Sequence, residues 1–261
     1  MSVISLLTDF GLDDNYVGVM KAVILNIDPK AKILDLAHNV ERHNITEAAF
    51  LLKGSFKYFP KKTLFLVIVD PGVGSRRKAI IVKTEDYVFI GPDNGVLSLA
   101  LNQVKIEKII EITNKRYFLK PVSDTFHGRD IFSPVAGFLS GGIPIEEFGR
   151  KIEKLKSLNL PKVDIKDGLL RGEIIYVDHF GNLVTNIERD SFYDFINNRK
   201  FRIHFKKEVF ERINKSYTQT DIGKPLVIWG SFGNLEISVN RTSAKDYFRV
   251  KKGEPVKIVR C

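Results

Sequence analysis

Cysteine is almost absent from this chain of 261 residues: the single example, Cys261, occupies the last position. One thiol leaves no internal disulfide and no cysteine-built zinc cage to hold a fold together. Long apolar runs are missing too, none approaching the roughly 18 residues that a bilayer-spanning helix needs. The stretch Met1 to Asp9 has no basic region ahead of its apolar residues and meets an acid at once. No secretory signal is therefore expected, and the protein is expected in the cytoplasm. There the Asn-x-Ser/Thr triplets at Asn44, Asn214 and Asn240 carry no weight as glycosylation sites. What is present is ordinary: 44% hydrophobic and 28% charged residues, the composition of a globular protein, at a length that suits two domains or one large one.

Acidic charge is in short supply, with 31 Asp and Glu against 41 Lys and Arg and a formal charge of +10. Such a surplus attracts anions over about a Debye length, which raises nucleic-acid binding as a class of function. The bases are spread as doublets such as Lys61-Lys62, Arg199-Lys200 and Lys251-Lys252, not gathered into a block. That pattern favours a solvated, lysine-rich surface, and nucleic acid is not the expected partner.

Hydropathy patterning divides the chain. Short β-branched or apolar runs at Val3 to Leu7, Lys32 to Leu36 and Thr63 to Val69 alternate with helical spacing over Tyr16 to Ile27 and Ile45 to Tyr58. Asn44 is placed to cap the second helix, with Glu47 completing a capping box. Strand and helix in alternation predict a parallel sheet with crossover helices. A hairpin is expected over Ala79 to Ile90 and a helix over Asp130 to Leu139. Residues 1–150 thus read as an α/β domain, 151–167 as a Lys-rich linker, and 168–261, with short strands between turn residues, as a small β-barrel or sandwich domain.

Polar, glycine-containing loops follow the predicted strands, where ligands bind in open α/β sheets. In Thr8-Asp9-Phe10-Gly11, the Asp9 carboxylate offers two oxygens to a ribose diol, or simply forms a turn. Asp70, at the end of a buried strand, needs a partner, and Arg77 stands seven residues on. His127 can exchange protons near neutral pH, and Gly128 beside it is expected to leave room for a ligand. Arg129 and Asp130 are expected to pair locally. His38, His43 and His204 lie in ordinary settings and are read as surface residues. Further on, Asp178 and Asn182 have the chemistry for an ammonium and a carboxylate, and Phe180 offers a ring to a cation or an adenine. Ser231 and the stretch Asn240 to Ala244 fall in turns whose backbone groups could read a base edge. Each of these segments, alone, is also an adequate turn or cap.

Taken in order, Thr8-Asp9-Phe10-Gly11, Asp70-Pro71-Gly72-Val73-Gly74 with Arg77, Gly91-Pro92-Asp93-Asn94-Gly95, Phe126-His127-Gly128-Arg129-Asp130 and Asp178-His179-Phe180-Gly181-Asn182 resemble the S-adenosylmethionine (SAM) hydroxide adenosyltransferases, relatives of the fluorinase and chlorinase. The resemblance implies a Rossmann-like first domain, a β-barrel second domain, and a homotrimer binding its nucleoside substrate between the first domain of one subunit and the second of its neighbour. It implies SAM hydrolysis to adenosine and methionine, with no metal or redox cofactor. Asp70, Arg77 and His127 match the trio that activates water, and Asp9 matches the ribose-binding acid. Asp178 and Asn182 match positions around the methionine, Ser231 lies near its carboxylate, and Asn240 and Ala244 lie near the adenine. Phe10, Asn94, Phe126, Gly128 and Phe180 fall within matched motifs and are taken as substrate-binding with them. The alternative within the superfamily is a halogenase; those enzymes carry tyrosine at the position of Asp70, and the fluorinase carries serine at that of Gly128. The alternative from another class is a nucleic-acid-binding barrel, on the interleaved rings and bases of Phe201 to Lys207.

Overall fold

In the computed structural model, which describes residues 3–261, the chain divides between Asn159 and Leu160 into two compact units. Met1 and Ser2, at the head of the stretch read for a signal, lie outside the described residues. In the first unit, β1 (Val3–Thr8), β2 (Lys32–Ala37) and β3 (Leu64–Ile68) are parallel neighbours, linked by α1 (Tyr16–Ile27) and α2 (Ile45–Ser55). β4 (Ala79–Thr84) and β5 (Val88–Pro92) form the expected hairpin, and β5 rejoins β3 in parallel. β6 (Ile106–Ile112) and β7 (Gly149–Lys151), which the sequence pattern did not separate from loop, complete a seven-stranded mixed sheet in the order β2-β1-β3-β5-β4-β6-β7.

Strand alternation places the core on both faces of this sheet. Ile4, Leu6, Leu64 and Leu66 pack with Met20 and Ile24 of α1 and with Val135 and Ala136 of the later helix; Leu7, Phe65 and Val67 pack with Ala48 and Leu52 of α2. Covered on two sides, β3 is buried throughout, as its unbroken apolar text requires. The Asn44 side chain accepts from the Glu47 amide at 3.0 Å, so the cap forms, but the box is only half made. The Glu47 carboxylate takes the Asn44 side-chain amide at 3.2 Å, while the Asn44 backbone N–H bonds to the Glu41 carbonyl. After the short α3 (Ser98–Leu101), the helix expected from Asp130 begins instead as a π-helical turn, Gly128–Phe132, and becomes regular only in α4 (Ser133–Ser140).

The second unit is a nearly closed antiparallel β-barrel. Its elements are β8 (Asp164–Lys166), β9 (Leu169–Val177), β10 (Leu183–Glu188), α5 (Arg189–Ile196), β11 (Phe201–Phe205), β12 (Glu208–Phe210), β13 (Pro225–Trp229), β14 (Asn234–Val239), α6 (Ala244–Phe248) and β15 (Pro255–Arg260). The strands run β12-β11-β15-β9-β10-β14-β13, with β8 paired to β9. The segment read as a linker therefore carries strand near both its ends, and its middle is tied to the first unit where Lys156 N–H donates to Asp93 at 2.8 Å. Leu170, Ile174, Ile237 and Phe192 are among the residues that fill the barrel. On β11, Ile203 and Phe205 point into this core, while Arg202 faces outward and pairs with Glu211 at 2.9 Å. That is the alternation of a half-buried strand. Among the described residues, no helix is long and apolar enough to cross a membrane.

Candidate active site

The carboxyl ends of β1 and β3 carry Asp9 and Asp70, and the loop before the π-helical turn carries His127. Two of these are drawn together by one arginine. Arg77 Nε lies 3.0 and 2.8 Å from the two Asp70 oxygens, and its Nη2 reaches Asp70 Oδ2 at 2.6 Å. Both side chains are more than nine-tenths buried, at 7% and 5% exposure. The same Nη2 approaches His127 Nδ1 at 2.7 Å. A guanidinium has donors and no acceptor, so Nδ1 must be the accepting nitrogen and the imidazole proton must sit on Nε2. Burial holds the His127 pKa below its ordinary 6.5, and the Arg77 charge adds to that; the ring is uncharged at neutral pH. Close approach of the two loops depends on Gly74, because a Cβ there would collide with the Asp124 carbonyl oxygen. Arg77 also lies over the Phe132 ring, 5.2 Å from its centre. The Asp70–Arg77–His127 trio predicted from the sequence is thus one hydrogen-bonded unit.

Asp9 Oδ2 accepts from the His43 backbone N–H at 2.8 Å, which aims the carboxylate. Its loop is anchored by His38, which the sequence reading placed on the surface and which is 4% exposed. His38 Nδ1 meets Thr8 Oγ1 at 2.9 Å, its Nε2 lies 3.0 Å from Asp35 Oδ1, and its carbonyl accepts from Gly11 N–H at 2.8 Å. Burial alone would raise the Asp35 pKa, but His38 and Lys21 together hold it below the usual range. A buried histidine, hydrogen-bonded to Thr8 through Nδ1 and with its Nε2 beside the Asp35 carboxylate, is a correction to the sequence reading; a lone histidine has no period or motif by which to be found.

Phe10 and Phe126 meet edge to face at 5.8 Å between ring centres, and both touch Tyr16. On the side-chain face of Gly128, a Cβ would sit 3.1 Å from the Phe126 ring and 3.3 Å from Met20 Sδ. The space expected there for a ligand is filled by the protein itself. Asn94 donates to the Val69 carbonyl at 2.8 Å and so fixes the strand end that carries Asp70. Arg129 and Asp130 pair locally at 2.6 Å, as expected, and Asp130 also accepts from Ser123 N–H at 2.8 Å.

The second unit supplies the remaining candidates. Asp178 Oδ1 accepts from Asn182 N–H and Oδ2 from the Asn182 side-chain amide, both at 2.8 Å. Gly181 lets Ser243 lie against this turn, since a Cβ would strike the Ser243 hydroxyl. Ala244 is wholly buried behind it, and the Asn240 side chain donates inward to the Thr220 carbonyl at 2.6 Å. Phe180 stands out at 74% exposure, and Ser231 is exposed in the β13–β14 turn.

The chain matches the family models for the SAM hydroxide adenosyltransferase N-terminal domain over residues 4–149 and C-terminal domain over residues 172–257. It is 32% identical to an (R)-S-adenosyl-L-methionine hydrolase of Thermus thermophilus, over 99% of this chain and 100% of the relative. It is 24% identical to a fluorinase of Actinopolyspora mzabensis, over 99% and 97% of the two chains. A crystal structure of an uncharacterized conserved protein from Thermotoga maritima superimposes with a TM-score of 0.90 at 41% identity, covering 98% of this chain and 100% of that one.

Proposed function

The chain belongs to the SAM hydroxide adenosyltransferase family, and on that premise we propose that it splits SAM with water into adenosine and L-methionine. The observation that carries this reading is the buried pair of Asp70 and Arg77 bonded onward to His127. The sulfonium is a good leaving group, and its 5′ carbon is open to in-line attack, so what the enzyme must supply is the orientation of a poor nucleophile. Asp70 accepts a hydrogen bond from the water and receives its proton as the carbon–oxygen bond forms and the carbon–sulfur bond breaks. The immediate product of attack is a protonated alcohol, acidic enough for a carboxylate to deprotonate. His127 is in the wrong state to take that proton, since Nδ1 is occupied by Arg77 and Nε2 is already protonated. It serves as a donor that orients the water. The Asp70 carboxylate offers an acceptor to which water can donate and a halide cannot, which argues against a halogenase.

Asp9 holds the ribose, the Phe10 and Phe126 rings border the nucleoside, and Asp178 with Asn182 and Ser231 holds the methionine. Phe180 and the Asn240 to Ala244 stretch lie toward the adenine. We further propose a homotrimer in the cytoplasm, with each site completed by a neighbouring subunit, and a reaction needing no metal or redox cofactor because no step calls for a Lewis acid or an electron. Purified protein incubated with SAM, chloride and a chelator, followed by mass identification of products, tests the reading. Adenosine and methionine are expected, and Asp70→Ala is expected to bind SAM and release neither. A chlorinated nucleoside, or comparable turnover by Asp70→Ala, overturns it.

A further inference from the structure

Where α5 gives way to β11, the second unit holds a recess of about 530 Å³ whose walls carry none of the residues assigned to SAM. Two consecutive left-handed residues, Asn197 and Asn198, make the connection, with φ of 44° and 60°, a conformation asparagine tolerates better than most side chains. On a continuous strand, successive side chains point to opposite faces. After this turn Arg199 and Lys200 line the same hollow, and Arg202 of β11 joins them. Phe201 forms part of the wall, its ring set edge to face against Phe192 of the core at 5.1 Å. Cys261 completes it, its N–H bonded to the Lys200 carbonyl at 2.7 Å.

The three bases are not in the same state. Arg202 is committed, since Glu211 on the same wall pairs with it at 2.9 Å and the charge at Cys261 adds to that attraction. Arg199 and Lys200 have no ion pair and no side-chain hydrogen bond among the described residues. Two uncommitted bases on one wall repel each other, and an anion placed between them removes that cost. Lone bases on an open surface are simply solvated. These two flank a hollow within the roughly 300 to 1,000 Å³ of small-molecule sites, beside an aromatic ring.

We propose that this recess, separate from the site of reaction, binds a nucleoside phosphate, with the phosphate on Arg199 and Lys200 and the base against Phe201. A guanidinium fork takes two phosphate oxygens at once, and an ammonium takes a third. The ring offers a face on which a planar base can stack, and the Asn198 amide on the wall offers a donor and an acceptor to its edge. Inorganic phosphate would leave the ring unused. A nucleic-acid strand needs a basic groove that follows its backbone, whereas the uncommitted bases here are gathered in one hollow.

Cys261 is the single cysteine of the chain, is exposed and lies on the recess wall, so its rate of alkylation by a thiol reagent reads occupancy of the recess. ADP is expected to slow that alkylation saturably, and adenosine and pyrophosphate each far less. In the double variant Arg199→Gln with Lys200→Gln, the ADP concentration required is expected to rise about tenfold or more, the scale of two exposed charge-assisted hydrogen bonds, with SAM cleavage unchanged. No protection by ADP, equal protection in the double variant, or protection by adenosine or pyrophosphate as strong as by ADP overturns the proposal. A short RNA that protects more strongly than ADP overturns it too and assigns the surface to nucleic acid. Loss of SAM cleavage in the double variant would overturn the separation of the recess from the reaction.

Discussion

Arg77 directs its donors two ways, to both oxygens of Asp70 and to Nδ1 of His127, and this sets what each partner can do. Protonating His127 removes the acceptor and places a second positive charge against the guanidinium. Its pKa is depressed by burial and by Arg77, so the unfolded chain binds that proton more readily. The folded ring therefore costs stability only as pH falls below 6.5, and it stays neutral above. Activity is expected to fall on the acid side with a midpoint below 6.5. His127→Gln, which keeps an acceptor and a donor without titrating, is expected to flatten that limb in a pH–rate profile, whereas His127→Ala is expected to lose activity across the range. An unaltered acid limb in the glutamine variant would assign the titration elsewhere. At this scale the sequence was legible where chemistry is local: an acid ending an apolar strand needs a partner, and Arg77 is within reach. It was silent about which imidazole nitrogen is free, because that depends on a contact fifty residues away.

Elements with a clear period were readable. α1 spans Tyr16–Ile27, as its spacing of apolar positions predicts, and β3 follows its unbroken apolar run. Elements whose faces are covered by distant chain were not. On β14, Asn234, Glu236 and Ser238 alternate with Leu235, Ile237 and Val239 and read as a wet face over a dry one, yet all six are buried. Their partners come from elsewhere in the chain: Tyr217 bonds to Glu236, and Asn234 donates to the Thr185 carbonyl of β10. The β1 loop depends in the same way on β2, through His38 and Thr8. Removing that link with His38→Leu is expected to loosen Asp9 and raise KM for SAM about tenfold at nearly constant kcat; His38→Asn, which still reaches Thr8, is expected to recover most of it. Equal losses in kcat and melting temperature for both variants would reduce His38 to a packing role.

At the scale of the molecule, each unit has its own hydrophobic core, and the proposed chemistry is divided between them. The residues proposed to handle the water belong to the first, and those proposed to hold the methionine to the second. A site completed between subunits makes a sharp prediction. Asp70→Ala and Asp178→Ala proteins, each inactive alone, are expected to regain part of the activity when unfolded and refolded together, because some sites then combine two intact halves. No recovery in a mixed oligomer would place both halves in one subunit. The two-unit architecture was legible from the change in pattern beyond residue 168, whereas assembly came only with the family resemblance, since no single chain displays its own partner.

One consequence of the bonded trio concerns rejection, not reaction. A free guanidinium near the 5′ position would be an anchor for any adenosine that carries phosphates. Here that guanidinium is already committed to a carboxylate and an imidazole, so the three groups sum to no charge and a polyphosphate tail finds no counterion. In the proposed mechanism, the hydrogen bonds that prepare the water would thus also deny an anionic nucleoside its anchor.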